Sequence, residues 1–329
     1  MLSAKWPLLA GLVFLASASS VLAAPKVTST NLGQAAYLDP TVVAWPGGGY
    51  LDLYYWSEDA DGDHTLMWMY TDGSQWYGPT ALAPAYGVTD GHPTSLIATA
   101  SGAREDVLWT GSSDGAGDCI QAFSPINPYG WTPLQASCFL PTISGFGAAS
   151  WGDWGIDMFY TDSSSGHLKH RTFDYSQCSA SGCVWSDDED FGPAPTTGAS
   201  AMVFDGSKEF AFGTSCNASV TRCQLGFYVF PWNNNWTPSG LATLGKQVLP
   251  GSSPGVAIVN GVAQFQVFYE NTSKHLVWYR TATGKVTDLG SMPSRPRALA
   301  AASLVTGRVD VFYLNDDGTI QDVTITGIQ

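Results

Sequence analysis

The sequence predicts an all-β protein, a six-bladed β-propeller whose N-terminal strand completes the last blade. Three observations predict it. Helical periodicity is nearly absent. A short strand, polar near its start and aromatic at its end, recurs six times. The spacing of the copies, about 50 residues, is a propeller period and too long for ankyrin or leucine-rich repeats.

The chain of 329 residues opens with MLSAKWPLLAGLVFLASASSVLAAP. One lysine precedes an apolar run from Trp6 to Leu15, and small residues lead to Val21-Leu22-Ala23. That order reads as a secretory signal, residues 1–23, ahead of a single propeller domain, 24–329. The apolar core is short for a membrane span, and no later stretch reaches about 18 apolar residues. The expected location is outside the cell or in the lumen of the secretory route.

The recurring strand reads LDLYYW, EDVLW, IDMFY, KEFAF, FQVFY and VDVFY. Its polar positions are taken as Asp52, Asp106, Asp157, Glu209, Gln266 and Asp310, at intervals of 54, 51, 52, 57 and 44 residues. Each unit holds four strand-like pieces joined by Asp-, Ser- and Gly-rich hairpin turns. In the third unit these are GAASW, IDMFY, HLKHRTF and the Trp185 segment. The units fall at 35–84, 85–138, 139–193, 194–243, 244–291 and 292–329. The last lacks a fourth strand. KVTSTNLGQ, residues 26–34, resembles KVTDLGS, the outer piece of the fifth unit, so it is expected to supply that strand and hide an open sheet edge.

All six cysteines lie after the leader, as three close pairs: Cys119 and Cys138, Cys178 and Cys183, Cys216 and Cys223. Fifteen connectivities are formally open, and the spacing favours three local bridges. No CxxC-like zinc spacing occurs, and no metal is expected. His64, His167 and His275 hold matching hairpin places, which favours a structural role. His167 and His170, three apart on a strand, point to opposite faces. The acidic run Ser186 to Asp190 reads as a solvated loop. Asn217, Asn235 and Asn271 head glycosylation sequons.

Acids outnumber bases 28 to 14, for a formal charge of −14. Such a surface repels phosphate backbones, which argues against nucleic acid as a partner. No dinucleotide or phosphate-binding loop signals a cofactor, and none is expected.

In blade rhythm the chain resembles the fungal fucose-lectin propellers. The likeness lies in the strand ending at Trp151, the aromatic second strands, and the polar-Gly hairpins before third strands such as HLVWYR. In that family an Arg opens the second strand and a Glu sits on the third. Here acids or Gln266 fill the Arg position, and the third strands lack the Glu. The architecture, the leader and the erased sugar sites also resemble the secreted hetero-Diels–Alderases of fungal tropolone–sesquiterpenoid assembly.

Propeller ligands often sit at the channel mouth, where loops lead into the innermost strands. Those positions hold Asp39, His92, Phe146, Ser253, Arg295 and Arg297, which differ from unit to unit. Asp39, His92 and Arg295 are the candidate catalytic groups: a carboxylate, a proton shuttle and an oxygen-orienting guanidinium. Phe146, Ser253 and Arg297 are the candidate substrate contacts. The leading expectation is a cofactor-free hetero-Diels–Alderase acting on terpenoid or polyketide partners by proximity. The alternative is a lectin of non-fucose specificity that binds glycans. A glycoside hydrolase, with Asp39 as base and Glu209 or Glu270 as acid, is a third reading.

Overall fold

The computed structural model describes residues 24–328, apart from 46–48, 84–92, 102–103, 114–116, 128–129, 139–142, 152–154, 175–184, 194–198, 205–207, 218, 232–241 and 260–264. The described residues contain strands and no helix, in a propeller arrangement. The leader and His92 lie outside them.

The strands form four-stranded antiparallel sheets. The first sheet is β2 (Thr41–Ala44), β3 (Leu51–Glu58), β4 (His64–Thr71) and β5 (Trp76–Ala83). The second is β6 (Pro93–Ser101), β7 (Arg104–Ser113), β8 (Gly117–Asn127) and β9 (Gly130–Cys138). The third is β10 (Ile143–Trp151), β11 (Gly155–Asp162), β12 (His167–Asp174) and β13 (Glu189–Pro193). The fourth is β14 (Ala199–Phe204), β15 (Lys208–Cys216), β16 (Cys223–Pro231) and β17 (Ala242–Val248). The fifth is β18 (Gly255–Ile258), β19 (Phe265–Glu270), β20 (His275–Arg280) and β21 (Val286–Ser291). The sixth joins β22 (Ala300–Ala302), β23 (Arg308–Leu314) and β24 (Thr319–Thr326) to β1 (Lys26–Ala35), the N-terminal strand. β1 runs antiparallel to β24 from Lys26↔Thr326 to Ala35↔Thr319. Two expected boundaries move. The fourth sheet runs on to Val248, past the expected edge at 243. Trp185 makes only an isolated bridge to Phe173, and the outer strand of the third sheet is β13.

Burial explains the strand composition. The second strand of a sheet is covered on both faces, so β11 is buried along its whole length and β3 from Leu51 to Trp56. Strand alternation then divides its side chains between two neighbours. Leu51, Leu53 and Tyr55 pack with Phe312 and Leu314 of the sixth sheet, while Tyr54 and Trp56 pack with Val107 and Trp109 of the second. Ile156, Met158 and Tyr160 meet Leu108 of the second sheet, and Phe159 meets Ala211 and Phe230 of the fourth. The fourth and fifth sheets share a core around Phe212 and Val267, the fifth and sixth one around Phe268 and Val311. Outermost strands see water on one side, and β1, β17 and β21 are correspondingly exposed and polar.

The innermost strands touch in the cyclic order β2, β6, β10, β14, β18, β22 and back to β2. Side-chain hydroxyls tie them together. Thr41 Oγ1 accepts from Ala98 N at 3.0 Å and Thr99 Oγ1 from Ser150 N at 2.7 Å, and from the second strand β15 Thr214 Oγ1 donates to Ser252 O, ahead of β18, at 3.1 Å. Gly255 permits close approach, because a Cβ there would lie 2.9 Å from Leu299 O.

Strand faces correct the sequence reading of the polar repeat. Glu209 shares its strand face with Ala211, which packs on the third sheet. Asp157 shares its face with Phe159 and points to the fourth sheet. Glu209 is therefore the counterpart of Glu105, and Phe210 holds the place that Asp52, Asp106, Asp157, Gln266 and Asp310 hold elsewhere. One residue of phase in a strand is a change of face. The acidic run is exposed at Ser186, Asp187, Glu189 and Asp190, as expected of a solvated segment, but it is a loop only as far as Asp188, and Glu189 and Asp190 open β13. Lys169 and His167 contact Asp190 at 2.7 and 2.9 Å, Arg171 pairs with Asp188, and His170 Nδ1 lies 3.1 Å from Glu189. The basic side chains of β12 draw this run onto the sheet edge.

Cys216 and Cys223 form a disulfide across the β15–β16 hairpin. Cys119 and Cys138 face each other in the β8–β9 register, a placement that fits the expected bridge, although their side chains are outside the description. Cys178 and Cys183 lie outside the described residues.

Candidate functional site

Where the innermost strands converge they enclose a cavity of about 280 Å³. Leu38–Val42, Thr94–Ala98, Gly145, Ala148, Ser253, Gly255, Val256 and Ala298–Ala301 line it. The walls are small aliphatic groups interrupted by hydroxyls, and Asp39 is the one charged residue among them. Asp39 Oδ2 accepts from Ala298 N at 2.9 Å, joining the first sheet to the sixth, while its buried Oδ1 has no hydrogen-bond partner. Burial raises the Asp39 pKa, opposed by the Ala298 hydrogen bond and the Arg297 charge.

Of the residues expected at the channel mouth, Asp39 and Ser253 meet in this cavity. Ser253 is held by the backbone, with Ser253 N donating to Arg297 O at 3.0 Å and Leu299 N to Ser253 O at 3.1 Å. Gly145 reaches the wall at a bulge, with φ +63°, while the side chain of Phe146 beside it is outside the description. Two other expected residues do not line the cavity. Arg295 is exposed and does not line the cavity. Arg297 also stays off its wall, because its Nη2 donates to Asn315 O at 2.8 Å in the β23–β24 hairpin.

The hydrolase pairing loses its acid. Glu270 is fully buried at the end of β19, accepts from Arg297 N at 3.3 Å, and is no part of the cavity wall. Its pKa, raised to about 7 chiefly by burial, therefore reports enclosure rather than access to a substrate. Glu209 is sealed between the third and fourth sheets.

A second feature lies at the other end of the first sheet. β2 runs from the Asp39 end toward Tyr50, which precedes β3. There Tyr70 stacks between Trp68 and Tyr77, with ring centroids 5.3 and 4.8 Å away, and Tyr50 meets Tyr70 edge-on at 5.9 Å. Tyr50 is 48% exposed. The Tyr77 hydroxyl donates to Asp72 Oδ2 at 3.2 Å and accepts from Gln75 Nε2 at 2.7 Å. Trp68 shares its strand face with the residues packed on the second sheet, so the rings extend outward from the first–second seam. The fifth sheet repeats the motif at the same register. Trp278 and Arg280 stand where the first sheet has Trp68 and Tyr70, and the guanidinium lies 3.9 Å from the indole centroid.

In the sequence these aromatics are not distinguished from those that fill a propeller core. The signal that could have found them is the alternation in LMWMY, which sets Trp68 and Tyr70 on one strand face two residues apart. The Asn217 and Asn271 sequon residues lie on hairpins, Asn217 exposed and Asn271 half-buried, and Asn235 is outside the described residues.

No family model matches the chain, and no curated protein matches it. Solved structures do. AofleA from Arthrobotrys oligospora aligns at 13% identity and TM-score 0.60, over 91% of this chain and 85% of that one. The Aleuria aurantia lectin, described as a six-bladed β-propeller with a novel fucose recognition mode, aligns at 13% identity and TM-score 0.59, over 88% and 92%. A Trypanosoma rangeli sialidase aligns at 10% identity and TM-score 0.57, over 92% of this chain and 60% of its own. At these identities the likeness is one of fold.

Proposed function

We propose that the chain is a six-bladed, lectin-like propeller that binds glycans through surface aromatic clefts. The observation that carries this reading is the Tyr50–Trp68–Tyr70–Tyr77 cluster with Asp72 and Gln75 beside it. Flat aromatic faces cover the apolar face of a pyranose, and neighbouring carboxylate and amide groups meet its hydroxyls. Structural likeness to the Aleuria aurantia lectin over 88% of the chain supports the same reading. The disulfide suits an oxidising compartment, which fits the secretory leader, residues 1–23. Among the described residues no helix is long and apolar enough to cross a membrane.

A glycan array with the purified protein tests this, followed by Tyr50→Ala. The expected result is binding to at least one glycan class, weakened about fivefold to a hundredfold by loss of one stacking face, roughly 1–3 kcal/mol by analogy with base stacking, at unchanged melting temperature. An array on which the wild type binds nothing, or a Tyr50→Ala protein that binds as well as wild type, overturns it.

The central cavity supports a second reading, with Asp39 Oδ1 as its unpaired acceptor and Ser253 on its wall. Its volume lies near the lower edge of the roughly 300–1,000 Å³ usual for ligand pockets. That suits one small ligand better than two partners being joined, which places a hetero-Diels–Alderase second. Incubation with a terpene alkene and a quinone-methide precursor tests it, with product stereochemistry as the readout. A product distribution identical to the uncatalysed one sets this reading aside.

A further inference from the structure

Four carboxyl groups meet in two matching pairs at seams between sheets. Asp52 on β3 and Glu105 on β7 face each other across the first–second seam, and Asp157 on β11 and Glu209 on β15 across the third–fourth. All four are at most 2% exposed. Their satisfied oxygens are easily named. Trp68 Nε1 donates to Asp52 Oδ1 at 2.6 Å, and the Tyr54 hydroxyl to Glu105 Oε2 at 2.6 Å. Asp157 Oδ1 accepts from the Thr172 hydroxyl at 2.6 Å and lies 2.9 Å from His170 Nε2. The Trp45 indole is a second donor within reach of Asp52, while Glu105 Oε1, Asp157 Oδ2 and both oxygens of Glu209 are buried without a donor.

An ionised carboxylate only accepts hydrogen bonds, so two of them in contact leave acceptor facing acceptor. In a dry seam that arrangement is costly twice over, through repulsion and through desolvation. One proton per pair removes both costs, since it cancels a charge and turns one oxygen into a donor. We infer that Asp52–Glu105 and Asp157–Glu209 are buried proton-binding pairs, each holding one shared proton, so that these two seams are tight in acid and loosen as pH rises.

The surroundings agree. The first pair has the negative Asp106 nearby and the hydroxyl of Tyr54, and its pKa values are raised first by burial and then by mutual repulsion for Glu105. Glu209 is raised well above the usual range by burial and by Asp157. His170 faces Asp157 on one nitrogen and Glu189 on the other, which leaves Glu209 as the carrier of the second pair's proton. Lys208, next to Glu209 in sequence, is exposed.

The sign follows from linkage. Between the ordinary carboxyl range and the raised value the folded chain holds a proton that the unfolded chain has lost, so stability falls as pH rises. The unfolding equilibrium constant then grows by up to about tenfold per pH unit for each retained proton.

Thermal unfolding of the full chain from pH 4 to 9 tests the inference, comparing wild type with Glu209→Gln and Asp52→Asn. An amide imitates the protonated acid at every pH. The expected result is a wild-type melting temperature that declines above about pH 5 and a shallower decline in each variant. A wild-type profile that is flat or rising, or variants with the full wild-type slope, overturns it. Should a variant fail to fold, infrared spectroscopy decides the matter. Glu270 and Asp322 also titrate at about 7, so the spectrum is taken on Glu270→Gln/Asp322→Asn protein with both pairs intact: a protonated-carboxyl carbonyl band that persists at pH 6.5 supports the shared proton, and its absence overturns it. Neither readout depends on which ligand the protein binds.

Discussion

The indole N–H of Trp278 donates to Oε1 of Gln266 at 2.8 Å, inside a seam where neither side chain meets water. Trp68 and Asp52 make the same bond at the same register of the first sheet, at 2.6 Å. His170 and Thr172 serve Asp157 in the third, while Arg308 and Thr324 serve Asp310 in the sixth. The polar residue near the start of a second strand is thus a brace to the third strand of its own sheet. Replacing Gln266 by Leu removes the acceptor and strands a buried N–H. The expected loss is about 1–3 kcal/mol of stability, read by denaturant unfolding. The cation–π contact of Trp278 with Arg280 persists, so near-ultraviolet circular dichroism of the folded state should change little.

The Cys216–Cys223 bridge closes a short loop, with a sequence separation of 7. In the loop-entropy account a ring of that size stabilises by about 2–3 kcal/mol. Cys216→Ser with Cys223→Ser should therefore lower the melting temperature by a few degrees and leave the sheet spectrum intact. Because the bridge sits on a hairpin remote from the Tyr50 cleft, glycan binding measured well below the melting temperature should not change.

Asp322 lies opposite Phe312 in the sixth sheet, within reach of the charges of Asp310 and Arg308 and hydrogen-bonded by Trp76 of the first. Burial, then repulsion from Asp310, holds its pKa at about 7 against the pull of Arg308. A folded value above the unfolded one means that its contribution is present below about pH 4 and is lost as pH rises through about 7. Asp322→Asn should therefore gain on wild type in melting temperature above pH 7 and match it more closely near pH 4. A chemical-denaturation series at fixed ionic strength measures this.

Periodicity carried much of this architecture, because the burial that shapes a propeller is itself periodic. LDLYYW and IDMFY are apolar on both faces because a sheet packs on either side, and that two-sided burial is readable in the letters. KVTSTNLGQ and KVTDLGS look alike because both are outer strands half in water. Pairing across seams was harder to read. Whether Glu209 answers Asp106 or Glu105 turns on one residue of phase, and KEFAF offers no marker to fix it. Asp39 and Ser253 could be placed at the channel because each precedes an innermost strand. Arg297 could not be removed from it, since its preference for the Asn315 carbonyl arises from a hairpin 18 residues away. The Tyr50 cleft stayed hidden because aromatic residues also fill cores, and exposure is a property of the assembled ring.

The pairing of β1 with β24 also has a mechanical side. Lys26 and Thr326 are opposite partners at one end of that ladder, so the chain enters β1 and leaves β24 side by side. Tension applied through them loads the hydrogen bonds one after another, from Lys26↔Thr326 toward Ala35↔Thr319, in the manner of a zip. A strand pair sheared along its length would load all its bonds at once and resist more. The seam that makes the circle continuous is thus also the place where a modest pull would open it.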